Sequence, residues 1–558
     1  MTFTKPQPSD KVYKTTPYIP RHANQRQSAA TGAGNLVGII FEQCILWLSA
    51  LFLILIGGVT FIFSTHLLDS YEVTFSTTRW WLVSIGIAVA ACCIAALSHT
   101  GLLEKYSPRN VLLGATAFSS LFCCGWIAFA SVWPEWDPAY VFLGAQALAD
   151  PTYQSQCPGT ETDWVMCPGG YFDRFPYQIP LLAVTWLLVK VFGSGAYLAF
   201  QFLNVLCVLG TLAGLAYYTH VLFQTRKATN ITILISCCFL PLFFYVTFAY
   251  GNTLCLPFLF VALAWQKQFC DTQRFRYIIG TGLFVLIALL LKSSMIYVMV
   301  AILAILVTYA MKHLNIKALL AVVIIIACYA GSGIITSGIA AGFGMSTDNG
   351  MPRTVWLAMG MQPQTNTQSN NFGWYNGYPT SWTPEEYDLQ EISEDARQSI
   401  QDSIESFVND PAYAAEYFGK KFVSEWTEPT YESLLASFWS SSGRDRPVMS
   451  QRSLTDVQRS VYAGRARTVI DILLDCLQTL IAAFAAFGLI RNHKQLHIEQ
   501  LAGALVPLGV GILYLFWEAQ SQYIMPAYLM MIPYAGLGLS SFAGIASGCF
   551  TKIRAKHQ

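Results

Sequence analysis

Ile179-Pro-Leu-Leu-Ala-Val-Thr-Trp-Leu-Leu-Val-Lys-Val-Phe192 decides how this chain sits in a membrane. The segment is apolar, but it opens beside Pro176 and Pro180, carries Lys190, and falls short of the ~20 residues that a helix needs to cross a bilayer. Longer apolar runs surround it: Leu36–Phe63, Trp80–Leu97, Val111–Val132, Ala196–Leu222, Ala318–Ile339, Val469–Ile490, Leu501–Trp517 and Tyr523–Phe542. Ile231–Trp265 and Tyr277–Met311 are each too long for one crossing. They read as helical hairpins turning at Gly251-Asn252 and at Lys292-Ser-Ser294. Suppose that 179–192 does not cross and the basic N-terminus is inside. The basic loops at Glu104–Arg109, Arg226–Lys227, Lys267–Arg276, Lys312–Lys317 and Arg491–Lys494, and the tail Lys552–Lys556, then all fall inside, as the positive-inside rule demands. A crossing there would invert every later loop. The expected fold is therefore an all-α polytopic membrane protein of about twelve transmembrane helices, with both termini cytoplasmic. Loop helices face outward, and 179–192 skims the outer surface.

Composition agrees. The chain is 54% hydrophobic and only 12% charged, about half the charged share of a soluble domain. A net charge of +1 gives no reason to expect nucleic-acid binding. The first 35 or so residues form a basic tail, expected to be disordered and cytoplasmic, and the apolar run that follows is too long for a signal peptide. Residues 36–339 hold the first ten spans and an outer loop at 133–195. Residues 340–467 form an extracytoplasmic loop domain, 468–548 the last two spans, and 549–558 a cytoplasmic tail. Ser381-Trp-Thr-Pro-Glu-Glu386 and Glu391–Lys421 read as short amphipathic helices. No internal repeat of the kind that transporters carry is evident.

Trp133-Pro-Glu-Trp-Asp-Pro-Ala-Tyr140 places Glu135 and Asp137 among aromatic rings at the outer surface. An acid before proline is also an ordinary helix N-cap. Tyr171-Phe-Asp-Arg-Phe-Pro-Tyr177 adds Asp173 and Arg174, which alone read as a surface pair of little worth. Lys292, Arg353, Glu518 and Tyr523 gather at the outer ends of spans. Ionisable groups at membrane depth mark function by default, although a lysine near the interface also snorkels. Asp471 and Asp475, one helical turn apart, fit either the lining of one cavity or, as expected here, the headgroup layer, and Glu42 fits the inner interface. Trp133, Trp136, Trp164, Trp374 and Tyr375 suit either sugar stacking or an interfacial belt. Cys157 and Cys167 share one polar outer loop, so a disulfide there is plausible. Asn230-Ile-Thr232 is a glycosylation pattern but falls inside. No His/Cys cluster has metal spacing and no glycine-rich loop cradles a phosphate, so no cofactor is expected, and a divalent metal is left open.

The chain resembles integral-membrane glycosyltransferases of the GT-C superfamily, in the bacterial protein-mannosyltransferase-like branch. The likeness rests on Asp137, Tyr171–Leu181, Pro241-Leu-Phe-Phe-Tyr-Val-Thr-Phe-Ala-Tyr-Gly251 and Leu291-Lys-Ser-Ser294. It also rests on Pro352–Met361 with Gly373-Trp-Tyr-Asn376, and on Trp517-Glu-Ala-Gln-Ser-Gln-Tyr523. Related sequences often carry arginine where this one has Gln522. The resemblance implies a polyprenyl-phosphate-linked sugar as donor and a glycan, lipid or protein as acceptor. It implies Asp137 as general base with Asp173 in support, and Glu135, Arg174, Lys292, Arg353, Glu518 and Tyr523 as substrate contacts. A lipid phosphate leaves as a stable anion, so one carboxylate and a cation suffice where a glycosidase needs two carboxylates. The rival readings are an O-antigen polymerase or ligase-like enzyme, which relies on outer-loop Arg and His, and a polyprenyl-lipid transporter or flippase, which needs mid-span charges and repeated broken helices.

Overall fold

A computed structural model describes residues 33–67, 73–130, 136–153, 157, 161–362, 372–439 and 454–556. The N-terminal tail lies outside these residues, as do Trp133 and Glu135. The chain is an integral, multi-pass α-helical membrane protein. Among the described residues, nine helices are long and apolar enough to cross a membrane. A tenth candidate is the bent pair Arg226–Cys238 and Leu240–Thr247, angled by 56°. Two shorter apolar helices, Phe275–Leu291 and Ala502–Phe516, stand among them.

The basic loops gather at one end of the bundle. Lys227 pairs with Glu104 at 3.9 Å, Asn315 donates to the Gln273 side chain, and Asn230 is buried with its amide on the carbonyls of Leu103 and Tyr106. Glu42, expected at the interface, is instead 4% exposed. It pairs with Lys312 at 2.6 Å and accepts from the Ile498 backbone, because a buried carboxylate must be compensated on both oxygens. The final helix runs Met525–Lys556, so the expected C-terminal tail continues a helix.

The opposite end is built from helix breaks. Pro241 lacks an N–H, and the bend that it sits in frees carbonyls that lipid could not satisfy. Side chains take them: Trp126 donates to Phe244, Tyr197 to Thr247, and Asn204 to both Val246 and Phe248. The first hairpin therefore turns at Phe248–Tyr250, and its helix resumes at Gly251. The second breaks at Lys292. The two breaks meet backbone to backbone, since a Cβ on Gly251 would lie 1.9 Å from the Leu291 carbonyl oxygen. The helix Ile179–Phe192 starts and ends at this same end. Its Lys190 donates to Ala149, and the Gly193–Gly195 turn leads to Tyr197, already tied to Thr247.

Two features depart from the hydropathy reading. A β-hairpin, β1 (Phe63–Leu67) against β2 (Val73–Thr77), follows the first span, with Thr65 facing Phe75 across the ladder. Residues 340–467 also do more than form a surface domain. Leu389–Asn409 and Pro411–Trp426 are the expected helices, but Pro384–Glu386 is only a 3-10 turn. The next stretch, Ser424–Ser437, is buried throughout as a strap across the end of the bundle. Its acids are satisfied inside: Glu428 accepts from Thr430, Glu432 N and Ser521, and faces Arg467 at 3.8 Å. Asp471 and Asp475, expected among headgroups, are 6% and 5% exposed. Asp471 pairs with Arg467 and His66, and Asp475 accepts from Ser64, because the β-hairpin and the strap cover that helix.

Candidate functional site

A cavity of about 1490 Å³ opens among the helix breaks. Both expected outward segments line it: Asp137 and Tyr177 come from the first, Trp356 and Asn376 from the second, with Lys292 and Glu518 from between spans.

Asp137 sits in the first turn of the helix Trp136–Ala149, where the exposed N–H groups favour a negative charge. Tyr250, placed by the turn of the first hairpin, donates to Asp137 Oδ2 at 3.1 Å and accepts in turn from Gln178. Burial pushes the Asp137 carboxyl above the usual aspartate range, while the Lys292 charge and the Tyr250 hydrogen bond pull it back. Lys292 lies in the second break. Its ammonium is 4.2 Å from the Tyr250 ring centre and 5.6 Å from that of Tyr523, so the two rings hold a cation beside the acid.

Glu518 forms the opposite wall, buried and accepting from Gln520 at 3.1 Å. Burial and the Asp137 charge push its carboxyl up to about 8, against Lys292 and Lys421, so it carries a proton at neutral pH. The loop bearing it is pinned at several points. Glu518 N donates to Trp356, Ala519 N to Gly373, and the buried Lys421 ammonium to the carbonyls of Gly360 and Trp517. Gly373 adopts φ +68 and passes so close to Lys421 that a Cβ would lie 2.7 Å from its ammonium nitrogen. Glu432, on the strap, lines the cavity and accepts from Ser521 and Gln522, and Asn252 donates to Gln522. Gln522 thus serves as a wall tie.

The structure brings Asp137, Lys292, Glu518 and Tyr523 into this one cavity and places the exposed Arg353 on its rim. It sets two residues apart from that role. Asp173 lies outside the cavity, accepting from Gly169 N and Asn349. Arg174 borders the cavity, but its guanidinium donates to the carbonyls of Gly169, Pro379 and Trp382 and stacks 4.6 Å from the Tyr387 ring centre. It therefore staples two loops, with three of its five N–H groups committed to carbonyls. Trp374 is fully buried with its indole on Ser424, so it offers no sugar face, whereas Trp164, in edge contact with Tyr140, lines the cavity. Cys157 and Cys167 form a disulfide. Tyr250, Glu432 and Lys421 escaped selection as site residues. Tyr250 carried a signal, an aromatic hydroxyl beside the glycine that breaks a span, whereas Glu432 and Lys421 sit in sequence that reads as ordinary surface. Among the described residues, no group of His, Cys, Asp and Glu side chains is arranged to hold a metal.

A family model described as "conserved hypothetical integral membrane protein" matches residues 39–342, more than half of the chain, and the chain belongs to that family. No curated protein matches it.

Proposed function

We propose that the protein is a membrane transferase that moves a sugar from a polyprenyl-phosphate donor to an acceptor hydroxyl at the outer face of the cell membrane. The observation that carries this reading is the pairing of one acid, Asp137, with one ring-cradled cation, Lys292, joined through Tyr250 in a cavity at the end of the bundle. In the reaction, Asp137 Oδ takes the proton of the acceptor hydroxyl as that oxygen bonds to the anomeric carbon. The carbon–oxygen bond to phosphate breaks with its electron pair going to the phosphate, whose negative charge rests against Lys292. A single displacement inverts the anomeric centre. Burial raises this carboxyl above the usual aspartate range, the direction that makes it a stronger base. The apolar wall at Leu289, Leu291 and Ile296 receives the start of the prenyl chain. Protonated Glu518 adds a hydrogen-bond donor instead of a second repelling charge.

The test is transfer from radiolabelled polyprenyl-phosphate sugars by purified protein. Asp137→Asn keeps the side chain's shape and loses the base, so the rate falls by roughly 10²–10⁴. Near-normal transfer by that variant rejects the assignment. Movement of the labelled lipid across vesicles without turnover supports a transporter instead.

A further inference from the structure

Tyr250 carries a single hydroxyl hydrogen, and its direction decides whether the phenol serves Asp137 as a donor. The ring is buried and lies 4.2 Å from the Lys292 ammonium. Its hydrogen can still turn about the C–O bond. Gln178 supplies a second contact to that oxygen: its amide nitrogen donates to Tyr250, and Tyr250 donates to Asp137 Oδ2 at 3.1 Å. An amide NH2 offers two hydrogens and accepts none, so a phenol that receives from it keeps its own hydrogen for the carboxylate.

The helix that Gln178 opens does not explain it. Gln178 holds the N-cap position of Ile179–Phe192, where Ser, Thr, Asp or Asn is the usual choice, yet its side chain makes no capping hydrogen bond. It is also only 5% exposed, although glutamine is mostly a surface residue. Ile179–Phe192 packs along Trp136–Ala149, whose first turn holds Asp137. Lys190 ties the far ends of the two helices by donating to the Ala149 carbonyl at 2.8 Å. Two helices clamped side by side thus bring Gln178 and Asp137 to the same hydroxyl. We infer that Gln178 is a positioning residue for the base: its amide holds the Tyr250 hydroxyl in the donating sense toward Asp137. That Asp137 is a base rests on the transferase reading above; the sense of the hydrogen-bond chain does not.

The experiment is an infrared titration of the Asp137 carboxyl on the full chain in detergent, without substrate. The band is assigned in each variant by its absence in the matching Asp137→Asn protein. Lys292, Tyr171, Tyr177, Tyr375 and Glu518 also act on that carboxyl and stay unaltered throughout. Gln178→Met keeps an unbranched side chain and removes the donor, so the midpoint rises by about half to one pH unit, the scale of one neutral hydrogen bond. In a Tyr250→Phe background the same substitution moves nothing, because the hydroxyl it acts through is gone. Gln178→Glu keeps the size but supplies an acceptor that takes the phenol hydrogen, and its midpoint rises at least as far as that of Tyr250→Phe. A merely structural Gln178 would shift the midpoint equally in both backgrounds. That result, or an unmoved midpoint in Gln178→Met, overturns the inference. Should Gln178→Met fail to fold, Gln178→Glu decides alone: a rise supports the inference and an unmoved midpoint refutes it. Sugar transfer is scored separately, so an unaltered protein without transfer whose variants show these shifts rejects the transferase reading and keeps the hydrogen-bond role.

Discussion

Replacing Tyr250 by Phe isolates the hydrogen bond that tunes Asp137. The ring stays, so the cradle around the Lys292 ammonium at 4.2 Å is kept, and only the hydroxyl that donates to Asp137 Oδ2 at 3.1 Å is lost. A hydrogen bond to a buried carboxylate favours its charged form by about 1.5–3 kcal/mol, so losing it shifts the midpoint for proton release upward by about one to two pH units. The sign follows from the native state: burial already raises this carboxyl and the Tyr250 hydroxyl lowers it, so removing the hydroxyl raises it further. A general base works only when deprotonated, so the acid limb of the pH–rate profile moves to higher pH and activity is recovered in alkaline buffer. The carboxyl infrared band, assigned by its absence in Asp137→Asn, reports the same midpoint without any substrate. An unmoved band in Tyr250→Phe refutes the claim that this hydroxyl controls the acid.

Lys292→Met removes the cation between the two rings while keeping an unbranched side chain. Retention of a polyprenyl phosphate falls by about 10–100-fold, measured by lipid co-purification, and the acid limb again moves upward because Lys292 also lowers the Asp137 carboxyl. Tyr250→Phe, by contrast, keeps lipid retention near normal. Arg174→Met strips three carbonyls of their donor and costs about 3 kcal/mol of stability, seen as a lower Tm in detergent. Arg174→Lys fails to rescue it, since an ammonium cannot reproduce the planar fork. A thermally unaffected Arg174→Met variant would return Arg174 to the list of phosphate ligands.

Much of the framework was legible because its signals are local. The length of an apolar run and the charge of a loop are properties of contiguous residues, and they gave the helices Trp80–His99, Ile316–Gly342 and Arg465–Arg491 close to their observed limits. The break at Lys292 was readable because a lysine and two serines interrupt an apolar run. The hairpin β1–β2 was not, since five-residue strands beside a long span add too little to a hydropathy profile. The acids at 471 and 475 were misplaced for a related reason: hydropathy gives depth along a helix but says nothing about which neighbour covers its side.

What the chain order alone determined is the class of molecule, an α-helical membrane protein whose acids and aromatics concentrate in two long loops. It also marked Asp137 and Lys292 as ionisable groups at the ends of spans. Only the packed structure decided that these two meet through Tyr250, that Arg174 is spent on carbonyls, that Asp173 lies outside, and that a buried strap supplies Glu432. Those outcomes depend on contacts between residues distant in the chain, such as Tyr250 with Lys292, Glu432 with Gln522 and Arg174 with Pro379. Such contacts are selected by the joint satisfaction of buried backbone groups at the helix breaks, a condition that no single stretch of sequence expresses.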